Sequence, residues 1–231
     1  MTDLVTYSLN NGVATIAMDD GKANALSHAM FDELGPAFDR AEKDGAVVIL
    51  TGREGMFSGG FDLPEMMKGM DEAKKLTARG SRLGRRILSF QKPVIGASSG
   101  HAIAMGAFLM LCCDYRISAD GPFKTGLNET AIGIPLHNFG IELARHRLPR
   151  RYFNRCVMNA EIFAPSDAVT AGFYDQIAPA SELRSTAASV AEKLKQLKMN
   201  AFALTKINAR KAFIELIDRC IEDDLNAEWS F

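Results

Sequence analysis

Hydrophobic positions along the chain switch between the period of a strand and the period of a helix. Val13-Ala14-Thr15-Ile16-Ala17-Met18 reads as a short strand, and the polar run Asp19-Asp20-Gly21-Lys22 after it reads as a turn. Ser27 can cap a helix that carries Met30, Leu34, Phe38 and Ala41 on one face. Gly35-Pro36 falls inside that stretch and weakens the helix, because proline disfavours a helix interior. Ala46-Val47-Val48-Ile49-Leu50-Thr51 is a continuous apolar run, the pattern of a strand buried on both faces. Residues 76–90 return to helical spacing, with Leu76, Leu83, Ile87 and Phe90 inward and Arg79, Arg82, Arg85 and Arg86 outward. Pro93-Val94-Ile95-Gly96-Ala97 predicts a further buried strand and Asp114-Tyr115-Arg116-Ile117-Ser118 a shorter one. From Ser166 onward the strands stop and helical spacing covers 166–171, 182–197 and 201–226. The pattern predicts an α/β chain whose architecture changes near 165–180, with no internal repeat and no flexible Pro/Gly-rich linker.

Two segments carry candidate chemistry. Phe57-Ser58-Gly59-Gly60-Phe61-Asp62-Leu63 holds two adjacent glycines, which let the backbone turn tightly and let a ligand approach the main chain. Farther on, Gly100-His101-Ala102-Ile103-Ala104-Met105-Gly106-Ala107 opens a helix that is apolar on every side through Cys112, the pattern of a buried helix. The first N–H groups of a helix lack intrahelical partners and sit at its positive end. Together the segments suggest backbone donors from two loops converging on one oxygen, the construction of an oxyanion hole.

Composition narrows the classes. With 231 residues, 47% hydrophobic and 24% charged, the chain can bury one large core. A formal net charge of −1 gives no reason to expect a nucleic-acid or membrane-surface partner. No apolar run reaches membrane-spanning length, and Met1-Thr2-Asp3-Leu4 starts no secretory signal, so a cytoplasmic protein is expected. Cys112, Cys113, Cys156 and Cys220 have neither zinc nor redox-pair spacing and read as buried reduced thiols. His28, His137 and His146 are scattered without metal-ligand spacing, so no metal is expected, and His101 reads as structural. Arg145, Arg147, Arg150 and Arg151 read as a solvated face that could touch phosphate, and Lys206 and Arg210 share that ambiguity.

In chain order, three motifs resemble the crotonase family, the enoyl-CoA hydratase/isomerase superfamily. Lys22-Ala23-Asn24-Ala25-Leu26-Ser27 resembles its A-x-N-A-L segment, Phe57 to Leu63 its F-[AS]-[AG]-G-x-D-L segment, and Gly100 to Ala107 its G-x-A-x-G-G-G segment. The resemblance covers nearly the whole chain. It implies a crotonase-like (ClpP/crotonase) spiral of ββα units over 1–175, a helical C-terminal region over 176–231, and assembly as a homotrimer or hexamer. It also implies an acyl-CoA substrate whose CoA is the only cofactor-like group, oxyanion N–H donors at Gly59 and Met105, and CoA or substrate contacts at Lys22, Ala23, Ala25, Ser58, Gly60, Phe61, Asp62, Leu63, Gly106 and Phe108. Asp62 itself reads as fixing its loop by local hydrogen bonds.

Hydratases of that family hold a water between two glutamates. The first would fall three residues after Met105, where this chain has Phe108, which can neither accept nor donate a proton. The second matches Glu129, four residues before Gly133, in Gly126-Leu127-Asn128-Glu129-Thr130, a string that resembles the single-glutamate enoyl-CoA isomerases. The resemblance thus implies a shift of the double bond of a 3-enoyl-CoA to the 2-position, with Glu129 as base. A hydratase acting on 2-enoyl-CoA and a non-catalytic acyl-CoA binder are the alternatives.

Overall fold

The computed structural model describes residues 3–228. β1 (Val5–Asn10) and β2 (Val13–Met18) form an antiparallel hairpin at one edge of a six-stranded sheet. From β2 the chain winds as a spiral in which each turn lays one strand in this sheet and the next in a smaller one. Helix α1 (His28–Lys43) leads to β3 (Val47–Gly52), which runs on into β4 (Gly55–Ser58) of the small sheet. The short α2 (Leu63–Met66) and long α3 (Met70–Ser89) return the chain to β5 (Val94–Ser98), β6 (Gly100–Ile103) and α4 (Met105–Cys112). The same step repeats in β7 (Tyr115–Ala119) and β8 (Thr125–Gly126). α5 (Asn138–Arg147), α6 (Arg150–Val157), β9 (Ile162–Phe163) and α7 (Pro165–Ala171) follow, then β10 (Gln176–Ala178), α8 (Leu183–Lys195) and α9 (Met199–Asn226). The sheet orders are β1-β2-β3-β5-β7-β10 and β4-β6-β8-β9, parallel except for the β1–β2 and β8–β9 pairs.

Alternation along β3 explains its continuous apolar run. Val48 and Leu50 pack into the main core with α1, α3 and α4, while Val47 and Ile49 face a second cluster under Leu183, Ala187 and Ala191 of α8. Three expectations change. Helix α1 runs unbroken through Pro36, carried by the buried face Met30, Leu34, Phe38 and Ala41, and Ser27 caps it by accepting the Met30 N–H at 3.1 Å. Strands do not stop at Ser166, because β10 extends the large sheet beside β7. Lys206 and Arg210 are not a solvated face: both bond to Asp114, at 2.7 and 3.0 Å, and donate to the last carbonyls of α3, Ile87 O and Leu88 O. They fasten α9 across the end of α3. Among the described residues no helix is long and apolar enough to cross a membrane.

Three side chains fix the parts that frame the site. Asn24, fully buried at φ +48°, donates through Nδ2 to Met18 O, Met56 O and Phe57 O, tying the β2–α1 loop to β4. Beside it the Asp20 carboxylate accepts the N–H groups of Lys22, Asn24 and Ala25 at 2.7–2.9 Å. Burial works to raise that carboxyl, but these bonds and Arg53 outweigh it and hold it below its ordinary value. At the far end of α4, Arg147 donates to Leu111 O and Cys113 O, both at 2.8 Å, so this arginine of the basic cluster is structural.

Asn24→Ala strands three carbonyls and places alanine at positive φ, so it should lower stability by about 2–4 kcal/mol, read as a lower denaturant midpoint at unchanged slope. Ala104, at φ +52° and ψ −125°, occupies a region suited to glycine. Ala104→Gly should therefore leave the midpoint equal or higher, whereas glycine at an ordinary helix position would lower it by about 1 kcal/mol.

Candidate active site

The turn after β4 and the start of α4 meet at Gly60. Its φ is +97°, and a Cβ there would lie 2.7 Å from the Ala104 Cβ and 3.3 Å from Met105 N. A Cβ on Gly106 would lie 2.5 Å from Ser58 O. These contacts bring the two turns to van der Waals distance, and they require glycine at both positions.

The backbone donors here can be counted. Gly59 N–H donates to Ala23 O at 2.8 Å, Gly60 N–H to Ser58 Oγ at 3.1 Å, and Asp62 N–H to Leu26 O at 3.4 Å. The Phe61 N–H has no partner among the described residues. Gly59 was expected to give the first oxyanion donor. Its hydrogen is already committed to Ala23, so in this turn the donor left free is that of Phe61. Across the contact, Ala104 N–H donates to Gly126 O at 2.9 Å, while the Met105 N–H, first in α4, has no partner among the described residues. Two uncommitted N–H groups, Phe61 and Met105, therefore flank Gly60 next to the positive end of a buried helix.

A cavity of about 300 Å³ opens beside this contact. Of the residues expected at the site, Ala23, Ala25, Gly59, Gly60, Phe61, Asp62, Leu63 and Glu129 line it. Lys22, Ser58, Met105, Gly106 and Phe108 do not. Lys22 contributes its carbonyl to Arg53 Nε at 2.8 Å, and Ser58 Oγ donates to Asn24 O at 2.8 Å. Phe108 is fully buried behind the cavity, its ring edge-on to His137 with centroids 5.9 Å apart. Asp62 Oδ1 accepts the Glu65 N–H at 2.9 Å and caps α2, which lies along the cavity mouth with Leu63, Pro64 and Met66.

Glu129 is the buried acid of this cavity. It is 9% exposed, and its Oε2 is buried with no hydrogen-bond partner among the described residues. Burial raises its carboxyl from 4.5 to about 7, opposed only by its own backbone N–H. A carboxyl with that value can both take and return a proton near neutrality. Among the lining residues that were not anticipated are Asn128 and His137, whose Oδ1 and Nε2 are also buried without partners among the described residues. A lone histidine with no ligand-spaced neighbour gave no signal in the sequence. Its packing against Phe108 is what brings it here. His101, by contrast, accepts the Lys124 N–H at 3.0 Å through Nδ1. Among the described residues no group of three or more His, Cys, Asp or Glu is placed to hold a metal.

Comparison with known proteins gives the family and the fold. The profile of the enoyl-CoA hydratase/isomerase family matches residues 8–225. A crystal structure of an enoyl-CoA hydratase/isomerase family protein from Pseudomonas syringae superposes with a TM-score of 0.97 at 48% identity, over 98% of this chain and 99% of that one. The mitochondrial enoyl-CoA delta isomerase 1 of Mus musculus is 30% identical, over 95% of this chain and 78% of its own length. The short-chain-enoyl-CoA hydratase of Clostridium acetobutylicum is 28% identical, over 95% and 82%. The chain belongs to the enoyl-CoA hydratase/isomerase family: it has the crotonase fold and is an enzyme of that family.

Proposed function

We propose that this enzyme moves the double bond of an acyl-CoA thioester from the β,γ to the α,β position, with Glu129 as its single base. The observation that carries this reading is the pairing of one unpartnered, cavity-facing carboxyl at Glu129 with a buried phenyl ring at Phe108, where a hydratase would need its second carboxylate. In the proposed reaction the thioester oxygen accepts from Phe61 N–H and Met105 N–H. Ionised Glu129 removes a proton from the α-carbon, and the electron pair of that C–H bond is delocalised onto the thioester oxygen as an enolate. The same carboxylic acid returns the proton to the γ-carbon, and the double bond forms between α and β. The protons balance within one turnover, and CoA serves as the handle of the substrate. Preorganised donors of this kind are worth about 2.7–4 kcal/mol each in the barrier.

We further propose that copies assemble as trimers or pairs of trimers in the cytoplasm through the late helices. Leu204, 66% exposed, and Ile207, 38% exposed, on the outer face of α9 support this. A stable monomer by light scattering would contradict it.

Glu129→Gln keeps the shape and removes the base, so turnover of a 3-enoyl-CoA should fall by about 10²–10⁴-fold while acyl-CoA binding persists. In the parent protein kcat/KM should rise with pH through about 7, as the carboxyl ionises. Stability should move the other way. The folded carboxyl holds its proton more tightly than the unfolded one, so its contribution is full below about 4.5 and is lost as pH rises through about 7. At about pH 8 Glu129→Gln should be the more stable protein, by on the order of 3 kcal/mol, and its stability should vary less with pH. Equal activity in Glu129→Gln, or an acid limb near the ordinary carboxylate range, would contradict the assignment. For the donors, Gly60→Ala drives a methyl into Ala104 and should cut kcat by about 10²–10³-fold in a folded protein.

A further inference from the structure

Four buried side-chain polar atoms have no hydrogen-bond partner among the described residues, and three of them, Asn128 Oδ1, Glu129 Oε2 and His137 Nε2, belong to residues lining the one cavity beside Gly60. Buried polar atoms rarely stay unpaired, and a group of three in one cavity calls for a common partner. None of the three bonds directly to another.

The surroundings of His137 define what it can do. Its ring is edge-on to Phe108 of α4 and stacked on Phe139 of α5, with centroids 5.9 and 5.7 Å away. It stands at the N-cap of α5, where the helix dipole disfavours a positive charge. Burial drives its imidazole down to about 4 against the pull of Asp224 of α9. The Asp224 carboxylate is itself occupied by the N–H groups of Asn138 and Phe139, at 2.7 and 3.0 Å. The other ionisable groups of the cavity are Glu129 and Asp62, and Asp62 is engaged at the cap of α2. His137 is therefore a neutral hydrogen-bonding group near neutral pH and a poor proton carrier.

A donor–acceptor count closes around one water. Neutral imidazole with its hydrogen on Nε2 offers one donor, and Asn128 Oδ1 and ionised Glu129 Oε2 are acceptors. A water using its two hydrogens and one of its two lone pairs matches that set and has three partners. We propose that His137 is a positioning residue for Glu129: its Nε2–H holds a water whose two hydrogens go to Asn128 Oδ1 and Glu129 Oε2, fixing the carboxylate for proton transfer. This rests on Glu129 as the base. It adds that the imidazole packed over Phe108 supplies the second polar anchor of the site, in place of the carboxylate that Phe108 lacks.

The test compares His137→Phe, which keeps a flat ring without the donor, with His137→Gln, which keeps an N–H at similar reach. kcat and KM for a 3-enoyl-CoA are measured across the acid limb. A hydrogen bond to the carboxylate favours its ionised form, so losing it should move the limb of kcat/KM upward by about half to one pH unit. In His137→Phe, kcat near neutral pH should fall about tenfold while KM changes less than about threefold, and His137→Gln should recover most of both effects. Asn128→Ala removes another anchor of the same water and should move the limb in the same direction, which keeps the test decisive if phenylalanine packs badly at 137. An unmoved limb in His137→Phe and Asn128→Ala, or equal losses in the Phe and Gln variants at every pH, would overturn the proposal. A parent enzyme that fails to isomerise any 3-enoyl-CoA would instead strike at Glu129 as the base.

Discussion

The close approach of Gly60 to Ala104 is the contact on which the site depends. It joins two turns that leave neighbouring strands of the small sheet, β4 and β6, in the same direction. Parallel pairing sets both strand ends at one edge, and the segment after each strand carries one uncommitted N–H, that of Phe61 after β4 and that of Met105 at the start of α4. The rest of the fold holds that junction still. Asn24 ties the preceding loop to β4 through two bonds and to the end of β2 through a third, and Arg147 clamps the opposite end of α4. A methyl group on Gly60 or Gly106 would force the turns apart and separate the two uncommitted N–H groups. The backbone conformation of Ala104 lies where alanine is strained, a cost that the packing around it sustains.

Against this rigid frame stands a group kept out of balance. Most buried polar atoms in the chain are satisfied, including the Lys206–Asp114–Arg210 cluster that carries α9. Among the described residues Glu129 is one of four exceptions, and burial without a partner is what moves its carboxyl to about 7. The same burial that raises the carboxyl makes its ionised form costly to the fold. Stability given up at one residue for chemistry at that residue is a physical signature of a working site.

Much of this was legible before any coordinates. The strand at Val13–Met18, the cap at Ser27 and the doubly buried runs of β3 and β5 follow from patterns that single segments display. The three motifs point to the two turns because glycines and an all-apolar helix are demanded locally. What escaped depends on partners far along the chain. Which N–H stays free after β4 is decided by Ala23 O and Ser58 Oγ, which engage Gly59 and Gly60 and leave that of Phe61. The strands of the small sheet have two to four residues each, too short for a period to show. β10, with three residues, is recognisable only by its register beside β7. His137 reached the site by packing on Phe108, and Lys206 reached the core by pairing with Asp114, both tertiary events that spacing does not encode.

The central claim is that one carboxyl and two backbone donors make this enzyme a proton shuttle across the acyl chain and not a catalyst of water addition. It is tested most directly on the unaltered protein, offered matched 3-enoyl- and 2-enoyl-CoA thioesters in ¹⁸O-labelled water, with products identified by mass spectrometry. The account predicts rapid conversion of the 3-enoyl to the 2-enoyl thioester, with little ¹⁸O carried into product. Faster hydration of the 2-enoyl thioester, with ¹⁸O at its β-carbon, would contradict it.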